Sequence, residues 1–158
     1  MTWSYDLLEP DDRRLFECTA VFSGGWDVHA AETVCAVGGK GEVDVLNGLD
    51  RLADRSLVHA EPGRYRPLET VRQYATARLK QGGQMEALRE RHAEYYMRLA
   101  EVAEPELKRA HQSTWLDQLE IEHHNLRAAL RWSIDTTRVT SPPNSPLHWR
   151  GSGKRVAI

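Results

Sequence analysis

Cysteine is scarce in this sequence: 158 residues contain only Cys18 and Cys35. Without a CxxC spacing they cannot form a zinc site alone. Each falls on the apolar face of a short helix, so buried free thiols are expected rather than a disulfide or a metal pair. No apolar run approaches the roughly 20 residues needed to cross a bilayer. The start, Met1-Thr2-Trp3-Ser4-Tyr5-Asp6, has neither the basic nor the apolar stretch of an export signal. A cytoplasmic protein without a membrane partner is the expectation.

Catalytic signatures are also missing. Gly38-Gly39-Lys40-Gly41 invites comparison with a phosphate loop, but that loop needs a serine or threonine after its lysine and a strand before its glycines. Here a glycine follows, and the segment joins two helical patterns. His123 and His124 beside Glu122 cannot both ligate one ion, because adjacent helical residues point about 100° apart. One of these histidines is expected to be partly buried and the other exposed. The carboxylates are scattered over solvated helix faces, and no nucleophile sits in a recognisable turn. A protein that is not an enzyme, with no cofactor, no metal and no catalytic residue, is expected.

What is present is a balanced, soluble composition, 41% hydrophobic and 28% charged, enough for one ordinary domain or a small domain with an appendage. The net charge of −2 comes from 21 basic and 23 acidic residues. Four of the basic ones (Arg138, Arg150, Lys154 and Arg155) lie beyond Thr136, where there is no acid. The remainder holds 17 basic against 23 acidic residues. An acidic body does not favour nucleic acid, because phosphate neutralisation supplies most non-specific affinity.

Periodicity organises the chain. Trp3 to Leu8 reads as one or two helical turns, and Glu9-Pro10-Asp11-Asp12 as a helix start, with proline in the first turn and acids at the positive end of the helix dipole. Leu15, Phe16, Thr19 and Ala20 continue that helix until Ser23-Gly24-Gly25 breaks it. Asp27 is positioned to cap a second helix carrying Ala30, Ala31, Val34 and Cys35 and ending at Gly38-Gly39. A third, from Glu42 to Ser56, has an apolar stripe of Val43, Leu46, Leu49, Leu52 and Ala53. Two short alternating segments around Pro62-Gly63 then make a β-hairpin. Three short helices followed by a hairpin is the order of a winged helix.

The pattern after the hairpin is helical: Glu69 to Lys80, then Met85 to Glu104 with Pro105 as its stop. A last helix, capped by Ser113 or Thr114, carries Trp115, Leu119, Glu122/His123, Leu126, Ala129/Leu130 and Ser133. Amphipathic helices with short connections resemble the start of an α-solenoid. Beyond Thr136 the periodicity collapses into a proline-, serine- and glycine-rich run, expected to be disordered. The resulting division is a winged-helix-like domain over 1–80, helical-repeat-like helices over 84–135, and a tail over 136–158. The fold class expected is mainly α, a winged-helix-like unit followed by antiparallel helices.

Five stretches in this order carry a family likeness: Trp3–Leu8, Val21–Trp26, Leu49–Val58, Tyr65–Ala75 and Glu122–Leu130. They resemble the segment that follows the ATPase domain in bacterial STAND-type regulators. These are NB-ARC-like ATPases that include LuxR-family and cyclase-linked transcriptional regulators. The resemblance implies that the winged helix is a lid and relay on a nucleotide-binding domain, with TPR-like helical repeats beyond it and DNA contacted by a separate domain. The wider group has a Met-His-Asp motif after the wing. The matching positions here are Pro67, Leu68 and Glu69, so the histidine that would approach a phosphate is replaced by leucine and that contact is not carried over.

The resemblance implies a non-catalytic regulatory fragment, a conformational relay or a protein-interaction module. The expected partner is a nucleotide-binding domain, in cis or trans, or a second copy joined through exposed helix faces; nucleic acid is not an expected partner. Trp26, Glu69, Arg72 and Trp132 are the candidate interaction residues, Trp26 and Trp132 being weighed against ordinary core packing. One alternative is an autonomous winged-helix DNA-binding regulator contacting DNA through Arg51, Arg55, Arg64 and Arg66. Against it, the third helix also carries Glu42, Asp44, Asp50 and Asp54. A second alternative is a truncated gene remnant without independent function.

Overall fold

The computed structural model describes residues 5–35, 42–109 and 112–140. Its described elements run α1 (Pro10–Thr19), α2 (Val28–Cys35), α3 (Glu42–Asp54), β1 (Val58–Glu61), β2 (Arg64–Pro67), α4 (Glu69–Gln81), α5 (Met85–Glu106), α6 (Gln112–Ile121) and α7 (His123–Thr140). The order is the expected one, mainly helical, with a hairpin after the third helix.

Local chemistry places the first elements. Pro10 opens α1 with Asp11 and Asp12 in its first turn, where a missing amide hydrogen costs nothing and acids suit the dipole. Asp27 caps α2, its Oδ1 accepting the Ala30 N–H at 2.7 Å. In the hairpin, Val58 faces Pro67 and Glu61 faces Arg64. Its turn uses Gly63 at φ 73°, a backbone conformation glycine adopts without steric penalty. Trp26, between α1 and α2, adds an antiparallel bridge to the hairpin. Its N–H donates to the Tyr65 carbonyl at 2.9 Å, and the Tyr65 N–H returns the bond at 2.8 Å.

The interior is one continuous cluster from Tyr5 to Ala129, with Trp26, Phe16, Phe22, Leu49, Leu52, Leu79 and Tyr96 among its most buried large side chains. Helices α1, α2 and α3 pack on one another, α4 closes against α1, and α5 lies against both α2 and α7. Hairpin and following helices therefore share a core.

Several expectations are corrected. Cys18 and Cys35 form a disulfide, with Cα atoms 5.7 Å apart, in place of two free thiols. The ends of α1 and α2 bring together two residues 17 apart in sequence. The last helix is divided at Glu122 into α6 and α7. Helix α5 continues through Pro105 to Glu106, and α7 continues past Thr136 to Thr140; positions 141–158, the rest of the expected tail, lie outside the described residues. So do the Gly38-Gly39-Lys40-Gly41 segment and Trp3. Leu46, expected in the buried stripe of α3, is exposed, whereas Leu49 and Leu52 are buried.

Candidate functional site

Polar groups buried in an apolar interior must find partners or incur a large desolvation cost. Here three of them meet in one place. His92 of α5, Glu122 at the α6–α7 junction and Asn125 of α7 are all buried. They meet the Ser23–Gly25 turn and Arg64 at the start of β2.

The bonds form a closed cluster. Arg64 Nη1 donates to Glu122 Oε1 at 2.6 Å, and its Nη2 donates to the Gly25 carbonyl at 2.8 Å. Asn125 Nδ2 donates to the same carbonyl at 2.9 Å and to Glu122 Oε2 at 3.1 Å. Asn125 Oδ1 accepts the Ser23 N–H at 2.9 Å and lies 3.3 Å from His92 Nε2. Wing, turn, α5 and α7 are thus joined through two side chains of α7 and its junction. The turn packs closely at Gly25: a Cβ there would stand 3.1 Å from the Tyr65 carbonyl and 3.3 Å from Arg66 Cγ, tighter than most side-chain contacts.

An aromatic layer encloses the cluster. Phe22 stacks on Trp26 with centroids 5.0 Å apart, and the His92 and Tyr96 rings lie 4.7 Å apart. Burial pushes the His92 imidazole down to about 4, despite the opposing hydrogen bond to Asn125 and the nearby Glu122 charge. His92 is therefore neutral near pH 7, and its Nε2–H tautomer would donate to Asn125. Burial, helped by Glu122, raises the pKa of Tyr96. Tyr65 is pushed up to about 12 by burial and by its 2.8 Å hydrogen bond to Asp50, which fastens β2 to α3.

The expected site residues divide sharply. Of the four candidate DNA contacts, Arg64 is taken up in the cluster. Arg51 is held by the buried Asp12 carboxylate, through Nε at 2.8 Å and Nη2 at 2.6 Å. Arg66 pairs with Glu61 at 3.2 Å on the exposed hairpin, and Arg55 is exposed just past α3. Among the candidate interaction residues, Trp26 lies wholly inside the core and offers no surface. Glu69 and Arg72 form an exposed pair at 3.0 Å, and the half-buried Trp132 points its Nε1 at Glu86 Oε2, 3.4 Å away. His123 and His124 are both exposed, so neither is the partly buried one expected. The central role of Glu122 and Asn125 is not visible from periodicity. Their one sequence signal is polar residues on the stripe that carries Leu126 and Ala129.

No family model matches the chain, and no solved structure matches it either. It is 37% identical over 142 residues to proteins of Mycobacterium tuberculosis and Mycobacterium bovis that are named as HTH-type transcriptional regulators. These alignments cover 87% of this chain and 16% of each relative. An uncharacterized protein of M. tuberculosis is 35% identical over 101 residues, covering 59% of this chain and 25% of its own length. The chain thus resembles a segment of proteins named as transcriptional regulators and spans a small part of the curated relatives it matches. Among the described residues no helix is long and apolar enough to cross a membrane.

Proposed function

We propose that this chain is a non-catalytic conformational relay of a STAND-type, ATP-dependent transcriptional regulator, passing movement between a nucleotide-binding domain and helical repeats. The observation that carries the reading is the buried cluster of Arg64, Glu122 and Asn125, which ties the wing to α7 through the Gly25 turn. A buried ion pair is weak evidence of added stability. Its value lies in specificity, because a wing that shifts must either carry α7 with it or leave a carboxylate unpaired in the core. The resemblance of five ordered stretches to the segment after the ATPase domain supplies the partner, a nucleotide-binding domain packed on the winged unit.

The autonomous DNA-binding reading is less well supported. Two of its four arginines are engaged by buried carboxylates. Asp44, Asp50 and Asp54 accompany Arg51 on α3, giving that helix a surface that repels phosphate.

Amide hydrogen exchange on Glu122→Gln tests the relay. Protection should fall together in β2, in the Ser23–Gly25 turn and in the first turns of α7, with α1 unaffected. Loosening confined to α7 would show that the wing and the helices are not coupled.

A further inference from the structure

A second feature lies on the other side of His92. A cavity of about 290 Å³ opens between α4, α5 and α7, beneath the turn that ends α1. Three guanidinium-bearing residues from three separate helices line it: Arg72 of α4, Arg89 of α5 and Arg131 of α7. Among the described residues Asp135 is its one lining carboxylate, and Trp132 lines it as well. Helices distant in sequence place these three cations around one cavity, which a single amphipathic face would not do.

We propose that this cavity binds a small organic phosphate, of the size of a monosaccharide phosphate. Guanidinium groups present paired donors that match phosphate oxygens bidentately. The volume suits a compact ligand rather than a dinucleotide. The present partners do not compete strongly. Arg72 pairs with the exposed Glu69 at 3.0 Å and Arg89 with the exposed Glu86 at 3.6 Å, and exposed i,i+3 pairs are worth little. Arg131 has no carboxylate partner among the described residues. The sugar end would lie along Trp132, whose indole tolerates a polar neighbour at its Nε1 edge and an apolar one on its face. His92 is a lining residue as well, so an occupant would touch the same imidazole that faces Asn125. Binding itself is independent of the relay reading.

Calorimetric titration of the full chain with glucose 6-phosphate, pyrophosphate and glucose tests the proposal, with tryptophan emission recorded in parallel. Saturable binding of both phosphates and none of glucose is expected. The emission change should be lost in Trp132→Phe. Arg131→Gln should weaken binding by roughly tenfold or more, while thermal unfolding stays unchanged because Arg131 is exposed. Glucose 6-phosphate failing to bind saturably, or binding equally well to Arg131→Gln, would overturn the proposal.

Discussion

Both ends of the Asn125 amide are committed inside the protein, and so are both oxygens of Glu122. His92 stands at the edge of this cluster among the Phe22 and Tyr96 rings, and protonating its imidazole there would bury a charge away from water. The folded chain resists this until about pH 4, whereas the free imidazole takes up a proton near 6.5. Between those values the unfolded chain binds more protons than the folded one, so stability falls as pH drops through the window and is fully present above it. The whole effect is about 3 kcal/mol. Urea unfolding at pH 7 and at pH 4.5 should show a loss that His92→Gln reduces by about 2 kcal/mol or more, relative to wild type. Equal losses in the two proteins would show that the acid sensitivity does not come from His92.

At the scale of elements, the disulfide fixes the end of α2 to the end of α1. Closing a loop of this length restricts the unfolded chain, an effect worth about 3 kcal/mol in the chain-entropy model. Reduction with a dithiol should therefore lower the unfolding midpoint, and the untreated protein should show no thiol reactive towards a chromogenic disulfide under denaturing conditions. Two reactive thiols before reduction would contradict the bond. The pairing was not legible in the sequence, because spacing says nothing about where two short helices end in space. The helices themselves were legible. Pro10, Asp27 and Gly63 mark boundaries through local backbone chemistry, and Leu49 and Leu52 mark the core through periodicity. What escaped was set by tertiary contact. Neither glycine nor proline announces the break at Glu122, where the carboxylate meets Arg64. The buried place of Trp26 depends on a bridge to Tyr65, 39 residues away by number. Of the candidate site, the stretch Glu122–Leu130 could be singled out, but its partners in the wing and the Gly25 turn could not.

At the scale of the whole molecule, the distribution of charge decides between readings. A winged helix that reads DNA presents cations on its third helix and wing. Here the third helix mixes acids with its arginines, Arg51 is bound to Asp12, and Arg64 faces inward to Glu122. Arg55 and Arg66 remain on the surface, and Arg66 is accompanied by Glu61. Two cations not held by buried carboxylates, set among acids, neutralise few phosphates, and affinity that rests on counterion release scales with their number. Fluorescence anisotropy with duplex DNA across a salt series should therefore show no saturable binding even at low salt, and Arg55→Ala with Arg66→Ala should change nothing. Tight binding with a steep salt slope would place the contact on a surface other than α3. If the double substitution then reduced the slope by about 2, the hairpin and the turn after α3 would be that surface, and the autonomous regulator would displace the relay.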